Sequence, residues 1–331
     1  MTNADPTNPD PTNPDPTNLD GSLGASSAGT SSAGASPAGL TVRRVAFDFG
    51  DDLDPRWNPR YPECAMAANA VSLLMPYVEP YVVRSVTSVL DELDEPLRSE
   101  ASDFCRQELQ HQRQHRRFNE AVTADSPALR RIEGAARAVY GWMSRRRSTR
   151  FNLAFAAGSE TIAFAIARWT ESHFRVLFDG ADDVVATLFL WHLAEEVEHK
   201  TVAFDVDRAT GGSRLRYLFV ALWSALLLAG FTIASTTVMA VRERRAWLPV
   251  TWFRLTKWSI GLAFEVLGDV VASALPRHHP RDFTDPVLLS AWLRYFDPAT
   301  ATMPLWTSTL APAPAPAAGP ATGPAAADVA S

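Results

Sequence analysis

From about residue 60 to residue 210, apolar side chains recur every three or four positions, glycines are few, and no stretch alternates apolar with polar. This pattern predicts helices rather than strands. A helix is expected over about 62–91, interrupted by Pro76 and Pro80. Pro96 can open the next, with Asp94 or Glu95 near its cap, and it runs to about 122. A third starts near 126 and a fourth covers about 148–178. Asp182 or Asp183 can cap a fifth that continues through about 207, where the glycines of ATGGS (209–213) suit a helix C-terminus. Residues 217–240, YLFVALWSALLLAGFTIASTTVMA, carry no charge and are flanked by Arg214, Arg216, Arg242, Glu243, Arg244 and Arg245. A run this long is either a membrane-contacting helix or one buried in the domain or in an oligomer interface. The next apolar helix, about 256–275, contains Glu265 and Asp269, which makes it a poorer span and a hairpin partner.

Composition limits this helical reading to the middle of the chain. Residues 1–40 are a Pro/Asn/Asp repeat followed by a Gly/Ala/Ser tract, and residues 301–331 are rich in Ala and Pro. Neither offers enough apolar surface to offset chain entropy, so both are expected to be disordered. The remainder divides into a helical bundle at 41–210 and an apolar helical extension at 211–300. The net charge is −6, which argues against a nucleic-acid partner. Cys64 and Cys105 cannot form a disulfide framework and fit a reducing compartment. With no secretory signal at the N-terminus, the expected location is the cytoplasm or the cytoplasmic face of the membrane.

The candidate chemistry lies in WHLAEEVEHK, residues 191–200. At 100° per residue, positions i, i+4 and i+7 of a helix fall within roughly 60° of one another. His192, Glu196 and His199 therefore share a face, with Leu188 and Ala203, and that face points inward. Buried imidazole and carboxylate without partners are costly, and a metal ion removes the cost. The helix at 96–122 repeats the pattern: Glu108 and His111 have the same Glu-x-x-His spacing, and His115 follows one turn later. Glu79 and Glu160 are isolated carboxylates in apolar helices. In chain order, Glu79, Glu108/His111, Glu160 and Glu196/His199 make the ligand set of a carboxylate-bridged dinuclear site in a four-helix bundle. His192 is a seventh ligand or a group behind the ligands; His115 binds metal, relays a proton or, as favoured here, stands behind the ligands; both are candidate catalytic residues. Glu195, Glu198, Asp205 and Asp207 are expected to orient ligands or to be exposed, and Phe104, Phe155, Phe164, Leu188 and Trp191 to line the site.

QELQHQRQH and WHLAEEVEHKTVAFD resemble the bacterial family of predicted metal-dependent hydrolases over about residues 42–300, including NPRYPE and the closing RHHP…YFDP. That resemblance implies a ferritin-like core. Val78 and Pro80 depart from it, since the family tends to have a glycine before the glutamate and an aromatic after it. The ligand pattern alone also resembles the di-iron arylamine N-oxygenases, whose His-x-x-x-Glu-x-x-His helix matches His192, Glu196 and His199. The expected fold is therefore all-α, a ferritin-like four-helix bundle with additional C-terminal apolar helices.

Hard carboxylate and imidazole donors without thiolate suit two Fe ions, with Mn or Zn as alternatives. The leading expectation is a di-iron oxidase or oxygenase that activates O₂. Its alternative is a metal-dependent hydrolase using a metal-activated water, and a third reading is non-catalytic iron binding. No glycine-rich cofactor loop is present, so an oxygenase of this kind would draw electrons from an external donor. The expected partners are a small-molecule substrate, lipophilic if the chain meets a membrane, and a second copy of the chain in a homodimer.

Overall fold

In a computed structural model, the described residues run from 40 to 306, apart from 46, 51, 52, 298, 301 and 302. Most of both tails expected to be disordered, residues 1–39 and 307–331, lies outside them. The described residues form helices and no β-strand.

Helix α1 spans Pro62–Ser72 and α2 spans Met75–Thr87, so the expected interruption falls just ahead of Pro76. Pro80 does not end α2. It sits in the second turn, where its missing N–H forfeits one ladder bond, and burial of Tyr81, Val82, Val83 and Val86 just beyond it holds the helix together. Helix α3 covers Leu97–Thr123. Helix α4, Pro127–Arg146, is capped by Ser126, and α5, Thr149–Leu177, by Ser148. Helix α6, Asp183–His199, starts on Asp182, whose carboxylate accepts from the N–H groups of Val184 and Val185. The segment read as one helix through 207 is two, since a turn at Lys200–Thr201 precedes α7, Val202–Ala209. Gly211, at φ +80°, ends it.

Helix α8 spans Arg214–Arg242 and α9 spans Pro249–Ala274. A further short helix, α10 at Val287–Leu293, has no counterpart in the periodicity reading. Its first N–H groups are satisfied from a distance, because the Glu171 carboxylate accepts from Val287 and Leu289. Met303 and Trp306, assigned to the C-terminal tail by composition, are instead buried, with Trp306 edge-on to Phe174 and Trp292.

Helices α2, α3, α6 and α5 form a closed ring, each packing on the next. The α8–α9 hairpin lies against α5 and α1. Glu265 and Asp269 are tolerated on α9 because both reach Arg168 of α5, at 2.5 and 2.7 Å. Glu63 of α1, fully buried, accepts from Arg254 and Thr251 of α9 and ties the hairpin to the body. Among the described residues, α8 is the one helix long and apolar enough to cross a membrane, and 22% of its most apolar window is buried.

The ring and the hairpin meet closely at Gly158 of α5. A Cβ there would lie 2.7 Å from both the Cα and the Cβ of Ala221 in α8. Gly158→Ala is expected to destabilise the protein by about 1–3 kcal/mol through overpacking, less whatever helix propensity returns. Calorimetry checks it; an unchanged or raised melting temperature would mean that the two helices can separate freely.

Candidate metal centre

All seven residues proposed as ligands are buried around one point inside the ring. Glu79 comes from α2, Glu108 and His111 from α3, Glu160 from α5, and His192, Glu196 and His199 from α6. His199 Nδ1 lies 2.8 Å from Glu108 Oε1 and 3.6 Å from both Glu160 Oε2 and Glu196 Oε2. His111 Nδ1 lies 3.8 Å from Glu108 Oε1 and from Glu196 Oε1. His192 Nε2 lies 2.8 Å from Glu196 Oε1 and 3.5 Å from Glu79 Oε1. Two overlapping groups can each hold a metal ion: Glu108, His111, Glu196 and His199, and Glu79, His111 and His192, their donor atoms within 4.8 Å of one another.

Each imidazole is oriented by what stands behind it. His111 Nε2–H donates to Glu195 Oε2 at 2.8 Å. Glu195 is in turn held by the Arg43 guanidinium, which also binds Glu198 through two nitrogens. His199 Nε2–H donates to Gln107 Oε1 at 3.0 Å, while the Gln107 amide donates to Thr41 O and Glu198 Oε2. Behind His192 the order of donors can be worked out step by step. Asn119 Nδ2 donates to the Ser72 carbonyl, so its Oδ1 accepts from Ser72 Oγ. Ser72 Oγ, its proton committed, accepts from His115 Nδ1 at 2.8 Å. His115 Nε2 is therefore the acceptor for His192 Nδ1–H at 2.7 Å. His192 Nε2 faces the carboxylates of Glu196, which it meets at hydrogen-bond distance, 2.8 Å, and of Glu79. In the neutral ring that this order of donors sets, that nitrogen carries the lone pair a metal ion would take.

The unsatisfied atoms agree with this. Glu79 Oε1 and Oε2, Glu108 Oε1, His111 Nδ1, Glu160 Oε2, Glu196 Oε2 and His199 Nδ1 are buried without a hydrogen-bond partner, and all but Glu79 Oε2 lie within 3.8 Å of another group of the cluster. The 2.8 Å approach of His199 to Glu108 is an ion-pair contact in a geometry that makes no hydrogen bond. Buried polar atoms are rarely left unpaired, and orphans gathered at one point indicate a missing partner. Four carboxylates with neutral imidazoles are balanced in charge by two divalent cations. Without them, burial and neighbouring carboxylates hold Glu79 and Glu160 well above the usual carboxylate range. Burial also works against a charged His111, but Glu108 and Glu195 outweigh it and raise that imidazole to about 9. The residues fit a metal site.

Other residues take places the spacing did not specify. Arg43, Gln107, Ser72 and Asn119 were not anticipated, and nothing in their local pattern marks them. Phe104 and Trp191 press edge-on against His199 and His111, with ring centroids 4.8 Å apart in each pair. Phe155, Phe164 and Leu188, also expected to line the site, belong instead to the surrounding core. The wall is formed by others: a cavity of about 280 Å³ reaches Glu79, Glu160, His192 and Glu196 and is lined mainly by apolar side chains such as Val78 and Leu193. Asp205 pairs with His279, and Asp207 is buried, its carboxyl raised to about 6 by burial; neither orients a ligand. Exposed His173 stacks on Trp169 away from the centre.

Glu195→Gln is expected to weaken metal affinity by about 10–100-fold, the usual effect of losing the group behind a ligating histidine. Competition against a chromogenic chelator measures it. Unchanged affinity would remove His111 from the ligand set.

Residues 41–284 match the family model described as predicted metal-dependent hydrolase. No curated protein and no solved structure matches the chain.

Proposed function

The chain belongs to the predicted metal-dependent hydrolase family, and from that premise we propose that its buried centre binds two divalent metal ions and hydrolyses a small apolar substrate. The observation that carries this reading is the set of orphaned carboxylate and imidazole atoms converging from four helices. Glu79, Glu108, Glu160, Glu196, His111, His192 and His199 are the ligands. When bound, the ions lower the pKa of a water and polarise the carbonyl of an ester or amide. The chain supplies orientation and an apolar surround. Glu195, Gln107 and His115 fix the three imidazoles with their lone pairs inward. Val78 and Leu193 give the cavity apolar walls. The His115–Ser72–Asn119 chain holds His192 in one orientation.

The test is turnover of p-nitrophenyl esters under argon by protein reconstituted with Zn or Mn. Metal-dependent hydrolysis without O₂ is the expected result. The donor set favours a second reading. It contains oxygen and nitrogen donors and no thiolate, which suits iron, and His192 adds an imidazole in the His-x-x-x-Glu-x-x-His spacing. An O₂-activating di-iron enzyme predicts the opposite outcome: silence under argon, and oxygen consumption once iron and an electron donor are supplied. Protein that binds fewer than two metals per chain would exclude both readings.

A further inference from the structure

The α8–α9 hairpin presents a face that the metal centre does not explain. Along α8, Phe219, Trp223, Leu226 and Ile233 are exposed, and no charged residue lies between Arg216 and Arg242. On α9, Phe253, Ile260, Phe264 and Val271 are exposed, and Trp247, in the turn between the helices, is 81% exposed. Soluble monomers seldom leave so extended an apolar surface uncovered.

Charge distinguishes between occupants. The exposed charged residues of α8, α9 and the turn between them are Arg242, Arg244 and Lys257, all cationic, with Arg242 3.8 Å from exposed Asp125, and exposed Arg277 follows just past the end of α9. The hairpin's acids are engaged elsewhere: Glu265 and Asp269 with Arg168, and Glu243 with Arg245. A second copy of this face would bring cationic rims together, whereas an anionic lipid surface complements them. Helix α8 packs against α1, α4 and α5 on one side, which leaves its other side free to lie along a lipid surface.

The cavity gives this face a purpose. The space that reaches Glu79 and Glu196 is also lined by Leu228 and Thr232 of α8 and by Trp258 and Ser259 of α9, and Ser259 is exposed. One apolar path thus joins the ligands to the uncovered hairpin. We propose that the α8–α9 face lies on an anionic lipid bilayer at the headgroup–acyl boundary, and that the substrate is a lipophilic molecule passing from the bilayer between α8 and α9 to the centre. The substrate half rests on the hydrolytic reading of that centre; the docking half does not.

Full-length, metal-loaded protein is mixed with vesicles of phosphatidylcholine alone or with phosphatidylglycerol, and floated. It is expected to rise with the anionic vesicles and to release in high salt. The exposed-site pair Phe219→Asp/Phe264→Asp, with helicity and metal content verified, is expected to stay at the bottom. The triple change Arg244→Gln/Lys257→Gln/Arg277→Gln is expected to weaken binding by about a hundredfold. For the substrate half, transfer of cis-parinaric acid, a fluorescent fatty acid, from vesicles to the protein is followed. Uptake by the wild type and its loss in Leu228→Trp, again with metal content checked, are expected. No flotation, flotation that ignores the Phe pair, or a dimer in light scattering that this pair dissolves would overturn docking. Failure of cis-parinaric acid to transfer would overturn the lipid path. None of these measurements needs turnover, so a protein that floats and takes up the acid without cleaving esters would refute the hydrolytic reading alone.

Discussion

Glu196→Ala protein is expected to purify with its helices intact and with at most one metal per chain, and to lose metal-dependent turnover by about a thousandfold or more. Glu196 is the carboxylate that all three imidazoles face, at 2.8 Å from His192, 3.6 Å from His199 and 3.8 Å from His111. Each of its oxygens serves a different side of the centre: Oε1 faces His192 and His111, and Oε2, without a hydrogen-bond partner, faces His199. Removing it leaves three inward lone pairs with no shared anion between them. Glu120 on α3, exposed, is the control; its alanine variant should keep both metals. Metal analysis of the desalted proteins decides. If Glu196→Ala retains two ions, Glu196 is not a ligand and the ions are held without it.

The parts of this centre legible in the sequence are those set by one helix at a time. Glu108 with His111, and Glu196 with His199, are three residues apart, and helical geometry places each pair on one face whatever surrounds it. Glu79 and Glu160 stood out because an acid in an apolar helix needs a reason. The groups behind the three imidazoles were not legible, because they depend on meetings between distant segments. Arg43 and Glu195 are 152 residues apart, and Gln107 and His199 are 92 apart. No local period connects them. The same limit explains the errors in the fold. Pro80 reads as a breaker, but burial of the residues after it keeps α2 whole. The turn at Lys200–Thr201 carries no glycine or proline, so α6 and α7 read as one helix. Helix α10 is too short to show a period and takes its N-terminal partner from Glu171 of α5. The inward face of α6 was read correctly, yet which aromatic side chains meet the cavity depended on packing that spacing does not encode.

Stripping the metal is expected to lower the melting temperature by roughly 10 °C, and adding it back to restore the loss. The folded chain gathers four carboxylates and three imidazoles in one buried place and leaves seven of their atoms, counted as Glu79 Oε1 and Oε2, Glu108 Oε1, His111 Nδ1, Glu160 Oε2, Glu196 Oε2 and His199 Nδ1, without a hydrogen bond. A ligand that binds only the folded state stabilises it by about 4 kcal/mol at a thousandfold excess over its dissociation constant. A domain of this size gains about 2–4 °C per kcal/mol. Glu79→Gln separates metal from mere burial. Both Glu79 oxygens are unpartnered, and without metal burial and neighbouring carboxylates hold that carboxyl well above the usual range, so the isosteric amide should leave the metal-free protein about as stable as the wild type. In the loaded state the same change should cost most of the metal-induced gain, because a ligand is gone. Scanning calorimetry with and without chelator gives all four values. A wild type that melts at one temperature in both states would mean that the carboxylates are neutralised by protons alone.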